Sequence, residues 1–396
     1  VLLEKHIPLT CDTPPVSFAD SPLWEGAKND LSEGVTMKKT ISLILVLALW
    51  AGLTAFAWCK PAAEFSDSER RPLEQFPEIS GQELISGQFM KDFADYAVDQ
   101  FPLRDGFRTL NAYLTYYLLG KQDNNGIYLS DGYAAKMEYP LNEDSIGNAV
   151  TRFNELHEMY LTDCDIRFAL VPDKSYYLAE SAGALALDYD ALYAHMAEAL
   201  PWAELLDLRE SLTIDDYYRT DTHWRQEQIL PAAQVIADAL GVTVPEFRQA
   251  EIERPFYGVY YGQAALPMEP DTMYYLTNEV LEGCTVKIHD NGTTAQVLDK
   301  TKLDSKDLYD VFLSGGAAVL EITNPAGIEG KELIVFRDSF GSSMVPLLVN
   351  DYERVWVLDT RYVNPAMLGH FVEFSGQDVL FLYSTLILNS SSALRK

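Results

Sequence analysis

Apolar and polar positions along the chain follow three successive patterns. The first is the unbroken apolar run "ISLILVLALWAGLTAFAW", Ile41 to Trp58, preceded by Met37, Lys38 and Lys39. Positive charge ahead of an apolar run is the layout of an export signal. At a rise of ~1.5 Å per residue the run just crosses a hydrocarbon core of ~30 Å. Two fates are open for residues 37–59: release after the small-residue site Ala55-Phe56-Ala57, or retention as a membrane anchor. Lipid attachment at Cys59 is a third, disfavoured by the bulk of Trp58. Residues 1–36 carry no sustained period and begin with Val, so the expectation is that Met37 is the natural start and that 1–36 is a non-native upstream extension.

Residues 60–81 are rich in Pro, Ser and charge and are expected to form a linker. The second pattern, a helical period, runs over 82–120. Leu84, Phe89, Phe93 and Tyr96 share one face, Phe107, Leu110 and Leu114 a later one, and Phe101-Pro102 breaks the run into two helices. Asn125-Gly126 and Asp131-Gly132 then flank a short strand, a hairpin signal.

From about residue 143 the third pattern alternates short β-rich runs with helical ones. "DIRFALVP", "AELLDL", "KELIVF", "RVWVLD" and "DVLFLYS" are the strands, with helices over 143–162, 188–200, Gln226–Leu240 and Ser342–Val349. Such alternation predicts βαβ units and a mostly parallel sheet. Between about 251 and 324 it fails. "GVYYGQ", "MYYL", "CTVKIHD", "TAQVLD" and "AAVLEIT" are read as strands of an antiparallel β insertion. The expectation is therefore an α/β domain over 82–396 with an insertion at 251–324.

Composition narrows the partners. Of 396 residues 48% are apolar, enough for a core, and the net charge of −29 with no basic cluster excludes a nucleic-acid partner. The four cysteines form no CxxC pair, which removes a zinc knuckle; Cys164 and Cys284 either pair or remain buried thiols. Asp221 and His223 alone are too few for a metal site, and no cofactor is implied.

Candidate chemistry sits in two places. In "IVFRDSFGSSM", Ser339 stands where a buried strand gives way to a helix, the position at which open α/β sheets build their sites. Its hydroxyl lies beside helix N-terminal N–H groups able to stabilise an oxyanion, although a serine there is also an ordinary N-cap. In "YYRTDTHWRQ", an extended segment would point Asp221 and His223 to one side, the carboxylate orienting the imidazole as a base for a serine. Asp338 is expected to support the turn. Lys174, Trp224, Arg361 and Tyr362 are candidate substrate contacts, with a solvated lysine and an Arg361–Asp359 salt bridge as the plainer alternatives.

"TDTHW", "VPDKSYY", "FRDSFGSSMVPLL" and "VWVLDTRYVNP" together resemble the DHHW proteins of Gram-positive bacteria, relatives of the SGNH-hydrolase-like alginate O-acetyltransferases. "RRPLEQFPEI" and "FPLRDGFRTLNAYLTYYLLGKQDNNGIYLSDGY" extend the resemblance to roughly Ser66–Ser384. It implies an SGNH-hydrolase-like three-layer α/β/α sandwich and a triad of Asp221, His223 and Ser339. The activity implied is exported O-acetyl transfer or acetyl-ester hydrolysis on a cell-surface polysaccharide, with a membrane-bound O-acyltransferase as acetyl donor. Two departures stand out. Arg337 replaces the Gly that precedes Asp-Ser in SGNH sequences, and the oxyanion Asn is not placed, Asn324 and Asn350 being the options. The alternative function is a non-catalytic envelope scaffold or glycan-binding component.

Overall fold

The computed structural model describes residues 22–66 and 68–395. The chain divides into two compact units, Val1–Ala63 with Glu74–Pro102, and Glu64–Leu73 with Leu103–Lys396. The units do not part at residue 82 as expected. The helices at 81–99 belong to the first, while the middle of the expected linker belongs to the second, where Phe65–Ser66 pairs antiparallel with Arg71–Pro72.

In the first unit one helix runs over Pro22–Cys59, and its portion Lys38–Cys59 is long and apolar enough to cross a membrane. Of the extension expected at 1–36, residues 1–21 lie outside the described residues. The helices Gly81–Ser86 and Gln88–Asp99 follow, the first capped by Ser80, whose side chain accepts from Glu83 N–H. Phe89, Phe93 and Tyr96 gather around Phe76, but Leu84, expected on that face, is exposed. The break at Phe101-Pro102 is present, and the next helix, Arg104–Tyr113, begins after it.

The second unit is built on an eight-stranded sheet. In chain order its strands are β1 (Asp165–Val171), β2 (Glu204–Asp207), β3 (Thr285–Ile288), β4 (Thr293–Ala295), β5 (Val319–Thr323), β6 (Ile328–Arg337), β7 (Tyr352–Leu358) and β8 (Asp378–Ser384). They lie in the order β4-β3-β5-β7-β6-β8-β1-β2. The pairings from β7 through β6, β8 and β1 to β2 are all parallel. Strand β5 runs antiparallel to β7 and β3, and β3 to β4.

Successive strand residues take opposite faces. Ala169, Val171, Val335 and Leu382 therefore pack with the helices Leu230–Leu240 and Gly341–Leu348. Phe168, Leu170, Phe336 and Phe381 pack with Glu143–Leu156 and Tyr189–Ala199 on the other side. The result is the three-layer α/β/α sandwich expected.

Within the insertion, β3, β4 and β5 prolong the central sheet, and only the hairpin Arg248–Phe256 with Asp271–Thr277 stands apart from it. "GVYYGQ" is not a strand. It forms the helix Val259–Ala264, because Tyr260 and Ala264, four residues apart, bury together against Ile127 and Ala134 of the hairpin Ile127–Ser130/Tyr133–Lys136. The helix expected from Gln226 starts instead at Leu230, with Pro231 in its first turn, and ends at left-handed Gly241. Cys164 and Cys284 are both free thiols.

Phe381 is fully buried, with ring centroids 4.7 Å from Phe336 and 5.4 Å from Phe153. Phe381→Ala is expected to destabilise the second unit by about 3–5 kcal/mol, measured by denaturant unfolding.

Candidate active site

Strand β6 lies where the chain switches sides, since β7 packs on one flank of it and β8 on the other. A crevice opens at the carboxyl end of such a strand. There Asp338 shapes the turn: its Oδ1 accepts from Phe340 N–H at 2.9 Å and its Oδ2 from Ser384 N–H of β8 at 2.8 Å. Gly341 and Ser342 donate their N–H groups back to the carbonyls of Asp338 and Ser339. The N–H of Ser339 itself has no partner among the described residues and stays available as a donor.

Arg337 occupies the position expected for Gly, and it is buried beneath the turn. Its guanidinium donates to Ser342 Oγ at 3.0 Å and to the carbonyls of Asp338 and Gly315 at 3.3 Å. Gly341 makes room for it, because a Cβ there would lie 2.7 Å from Arg337 Cβ. Burial lowers the Arg337 pKa, while the Asp359 carboxylate, 3.8 Å away, works against that shift.

The segment carrying His223 is a tight bend rather than the extended run expected. Asp221 Oδ1 accepts twice from the residue two positions on, from His223 N–H at 3.0 Å and from Nδ1 at 2.6 Å. The side-chain-to-backbone bond folds the bend and brings the imidazole over its own orienting carboxylate. His223 Nε2 then lies 2.7 Å from Ser339 Oγ. Both Asp221 and His223 are buried.

Several elements hold this bend. Asp271 accepts from the N–H groups of Arg219 and Thr220 at 2.8 Å and from the Thr220 hydroxyl. Asp221 Oδ2 accepts from Val259 N–H at 2.7 Å. Gly258 packs so closely that a Cβ would sit 2.2 Å from Asp221 Cβ. Tyr309 stacks on the imidazole with centroids 3.9 Å apart and planes 8° apart, and its hydroxyl meets Ser343 Oγ at 2.7 Å. Burial alone would push the Asp221 carboxyl up, but His223 and then Arg70 hold it well below the usual carboxylate range.

Asp221, His223 and Ser339 thus lie together in one hydrogen-bonded chain, and Asp338 bonds across the turn. Two other expectations, for Trp224 and Lys174, are corrected. Trp224 is fully buried, out of reach of a substrate, and its Nε1 donates to Ser343 Oγ at 2.8 Å. Lys174 is neither a solvated lysine nor a substrate contact. It is 2% exposed, with Nζ donating to the carbonyls of Tyr218 and Arg219 at 3.0 and 3.3 Å. Asn324 and Asn350 sit at the amino ends of β6 and β7, opposite Ser339, where Asn324 donates to the carbonyls of Val349 and Asn350. Each is a turn residue there.

Arg361 forms the bidentate pair with Asp359, at 2.9 and 2.6 Å, while Tyr362 is exposed at the same strand end. Two neighbours of the triad went unread in the sequence. Tyr309 lies in "DLYDVF" and Arg70 in the resemblance stretch "RRPLEQFPEI", and neither carries a local pattern tying it to His223 or Asp221. Among the described residues no group of three or more His, Cys, Asp or Glu is placed to hold a metal.

Residues 176–358 match the protein family described as DHHW protein. A DHHW family protein from Eubacterium siraeum superposes with a TM-score of 0.56 at 23% identity, covering 68% of this chain and 94% of that one. Bacillus cereus PatB1, bearing a sulfonyl adduct, superposes at 0.53 and 17% identity, covering 68% and 97%. The O-acetyltransferase domain of Pseudomonas putida AlgJ gives 0.43 and 14%, covering 67% and 92%. No curated protein sequence matches the chain. The first two likenesses establish a shared fold.

Burial lowers the Lys174 amine to about 7 in the folded chain, against an ordinary value near 10.5. Between those two values the unfolded chain binds more protons, so folding stability from this group rises with pH. The wild type is expected to gain on Lys174→Met, by at most about 1.4 kcal/mol per pH unit, as pH rises from about 7 toward 10. Denaturant unfolding of both proteins across that range measures it.

Proposed function

We propose, from the premise that residues 176–358 form a DHHW domain, that the chain is a serine-dependent O-acetyltransferase or acetylesterase acting on a cell-surface polysaccharide. The observation that carries this reading is the unbroken relay from Asp221 Oδ1 to His223 Nδ1 at 2.6 Å and from Nε2 to Ser339 Oγ at 2.7 Å. These distances are within proton-transfer reach without a bridging water.

In this reading Ser339 Oγ attacks the acetyl carbonyl as its proton passes to His223 Nε2. Asp221 stabilises the imidazolium that results, and it keeps Nδ1 as the protonated nitrogen beforehand. The Ser339 N–H, otherwise unpartnered, supplies one donor to the oxyanion. Collapse of the tetrahedral intermediate leaves acetyl-Ser339, and the imidazolium returns its proton to the departing alcohol. A sugar hydroxyl then attacks the acetyl-enzyme, giving its proton to His223, and the imidazolium passes that proton to the departing Ser339 Oγ; the products are the acetylated sugar and the free serine hydroxyl. Water in place of the sugar gives acetate, so transfer over hydrolysis depends on what the crevice admits.

Arg361 and Tyr362, at the carboxyl end of β7, are assigned to the acceptor. Asp359 fixes the guanidinium through two hydrogen bonds, which suits it to hold a hydroxyl-rich ligand at low entropic cost. The helix Lys38–Cys59 supports an extracytoplasmic, membrane-anchored or secreted location. A membrane-bound O-acyltransferase is the proposed source of acetyl groups.

Purified protein is expected to hydrolyse a generic acetyl ester, and Ser339→Ala to lower kcat/KM by about 10³-fold or more. A sulfonyl fluoride is expected to label Ser339 in the wild type and to leave His223→Ala largely unlabelled, read by peptide mass spectrometry. Equal turnover by wild type and Ser339→Ala would contradict the assignment.

A further inference from the structure

The triad's carboxylate has a neighbour from a remote part of the chain. Between the paired strands Phe65–Ser66 and Arg71–Pro72, the backbone turns through Arg70 at a φ of 53°, a left-handed conformation rare outside glycine. Its side chain is 12% exposed. Nη1 lies 2.8 Å from Asp307 and 3.7 Å from Asp221 Oδ2, and Nη2 donates to the carbonyl of Tyr257. The group also lies over the Phe256 ring, 5.4 Å from its centroid.

The strap is itself pinned. Glu69 pairs with Arg104 and Arg108, and Gly262 lets the chain pass so closely that a Cβ would lie 1.5 Å from the Ser68 carbonyl oxygen. Such close fitting is unusual for a segment whose composition reads as linker.

We infer that Arg70 is a positioning residue for His223, setting the charge around the imidazole on which its action as the base depends; this rests on the triad reading above. The charged and titratable groups around the ring come from five places. They are Asp221 on its own bend, Arg70 on the strap, and Asp307, Tyr309 and Asp310 on the segment at 307–311. Lys174 beyond β1 completes the set, together with Arg337 and Asp338 at the end of β6.

Arg70 is the cation placed between the two nearest carboxylates, Asp221 and Asp307. Burial and then the Asp221 charge push the Asp307 carboxyl up, and burial and then Asp307 push Asp310 up to about 6. These are signs of crowded negative charge, which Arg70 offsets at Asp307, and which Lys302 and then Arg70 offset at Asp310. Without Arg70, two carboxylates would favour the imidazolium, and an imidazolium cannot accept the serine proton.

The test is the protonation midpoint of His223 by NMR in the detergent-solubilised full-length chain with labelled histidine, assigned with His223→Ala. Arg70→Gln is expected to raise the midpoint by about 0.5–1 pH unit, a 3- to 10-fold shift toward the protonated form. Arg70→Lys is expected to stay near wild type, and Asp307→Asn to lower the midpoint. The acidic limb of kcat/KM should move the same way in each variant.

A midpoint unchanged or lowered in Arg70→Gln overturns the proposal. Should Arg70→Gln fail to fold, an unchanged midpoint in Asp307→Asn does so instead. The midpoint is read without turnover, so a wild type lacking Ser339-dependent hydrolysis would sink the functional reading while this measurement still decides the role of Arg70.

Discussion

The buried carboxylate of Asp221 is the constraint around which the second unit is arranged. An ion removed from water needs its lone pairs filled, and here donors come from three separate stretches of chain. His223 supplies its N–H and ring nitrogen, Val259 its N–H, and Arg70 a nearby cation. Each donor fixes a different element: the bend, the short helix at 259–264, and the strap at 64–73. The glycine at 258 exists in that place because no larger residue lets the backbone come close enough to donate. Satisfying one charge thus ties together stretches whose apolar residues pack in separate small clusters.

The serine side of the crevice is held by different means. Asp338 ties the turn to β8, and Arg337 fills the space beneath it with hydrogen bonds to two carbonyls and a serine hydroxyl. The side chain that departs from the SGNH pattern is therefore a prop for the turn. It is also a buried charge, offset by Asp359, which in turn orients Arg361 toward the rim. A substitution that looked like a loss in the sequence links the turn to the proposed acceptor contact.

Much of this was legible in the sequence because the strands are apolar runs closed by punctuating residues. Strands β1, β2, β6, β7 and β8 come from "DIRFALVP", "AELLDL", "KELIVF", "RVWVLD" and "DVLFLYS", and the junction at Ser339 follows from a strand meeting a helix. The meeting of Asp221, His223 and Ser339 was suggested by motif resemblance, not by geometry: the extended segment assumed for Asp221 and His223 is a bend, and the two groups meet through local hydrogen bonds instead. "GVYYGQ" misled because tyrosine pairs suit strands, whereas tertiary packing at a four-residue spacing made it helical. Trp224 and Lys174 misled because polar tips on large side chains read as surface groups when their partners are distant in sequence. Arg70 stood inside the resemblance stretch "RRPLEQFPEI" without a role, and Tyr309 had no signal, since stacking and long-range pairing leave no local period.

Ser343 gives these contacts an evolutionary meaning. Its hydroxyl meets both the Trp224 indole and the Tyr309 phenol, one ring flanking the histidine in sequence and the other covering it in space. Exchanging Ser343 leaves the Tyr309 phenol without its partner, whereas the Trp224 indole keeps the Phe340 carbonyl at 3.2 Å. Positions 309 and 343 are therefore expected to vary together among related chains, with position 224 freer to drift.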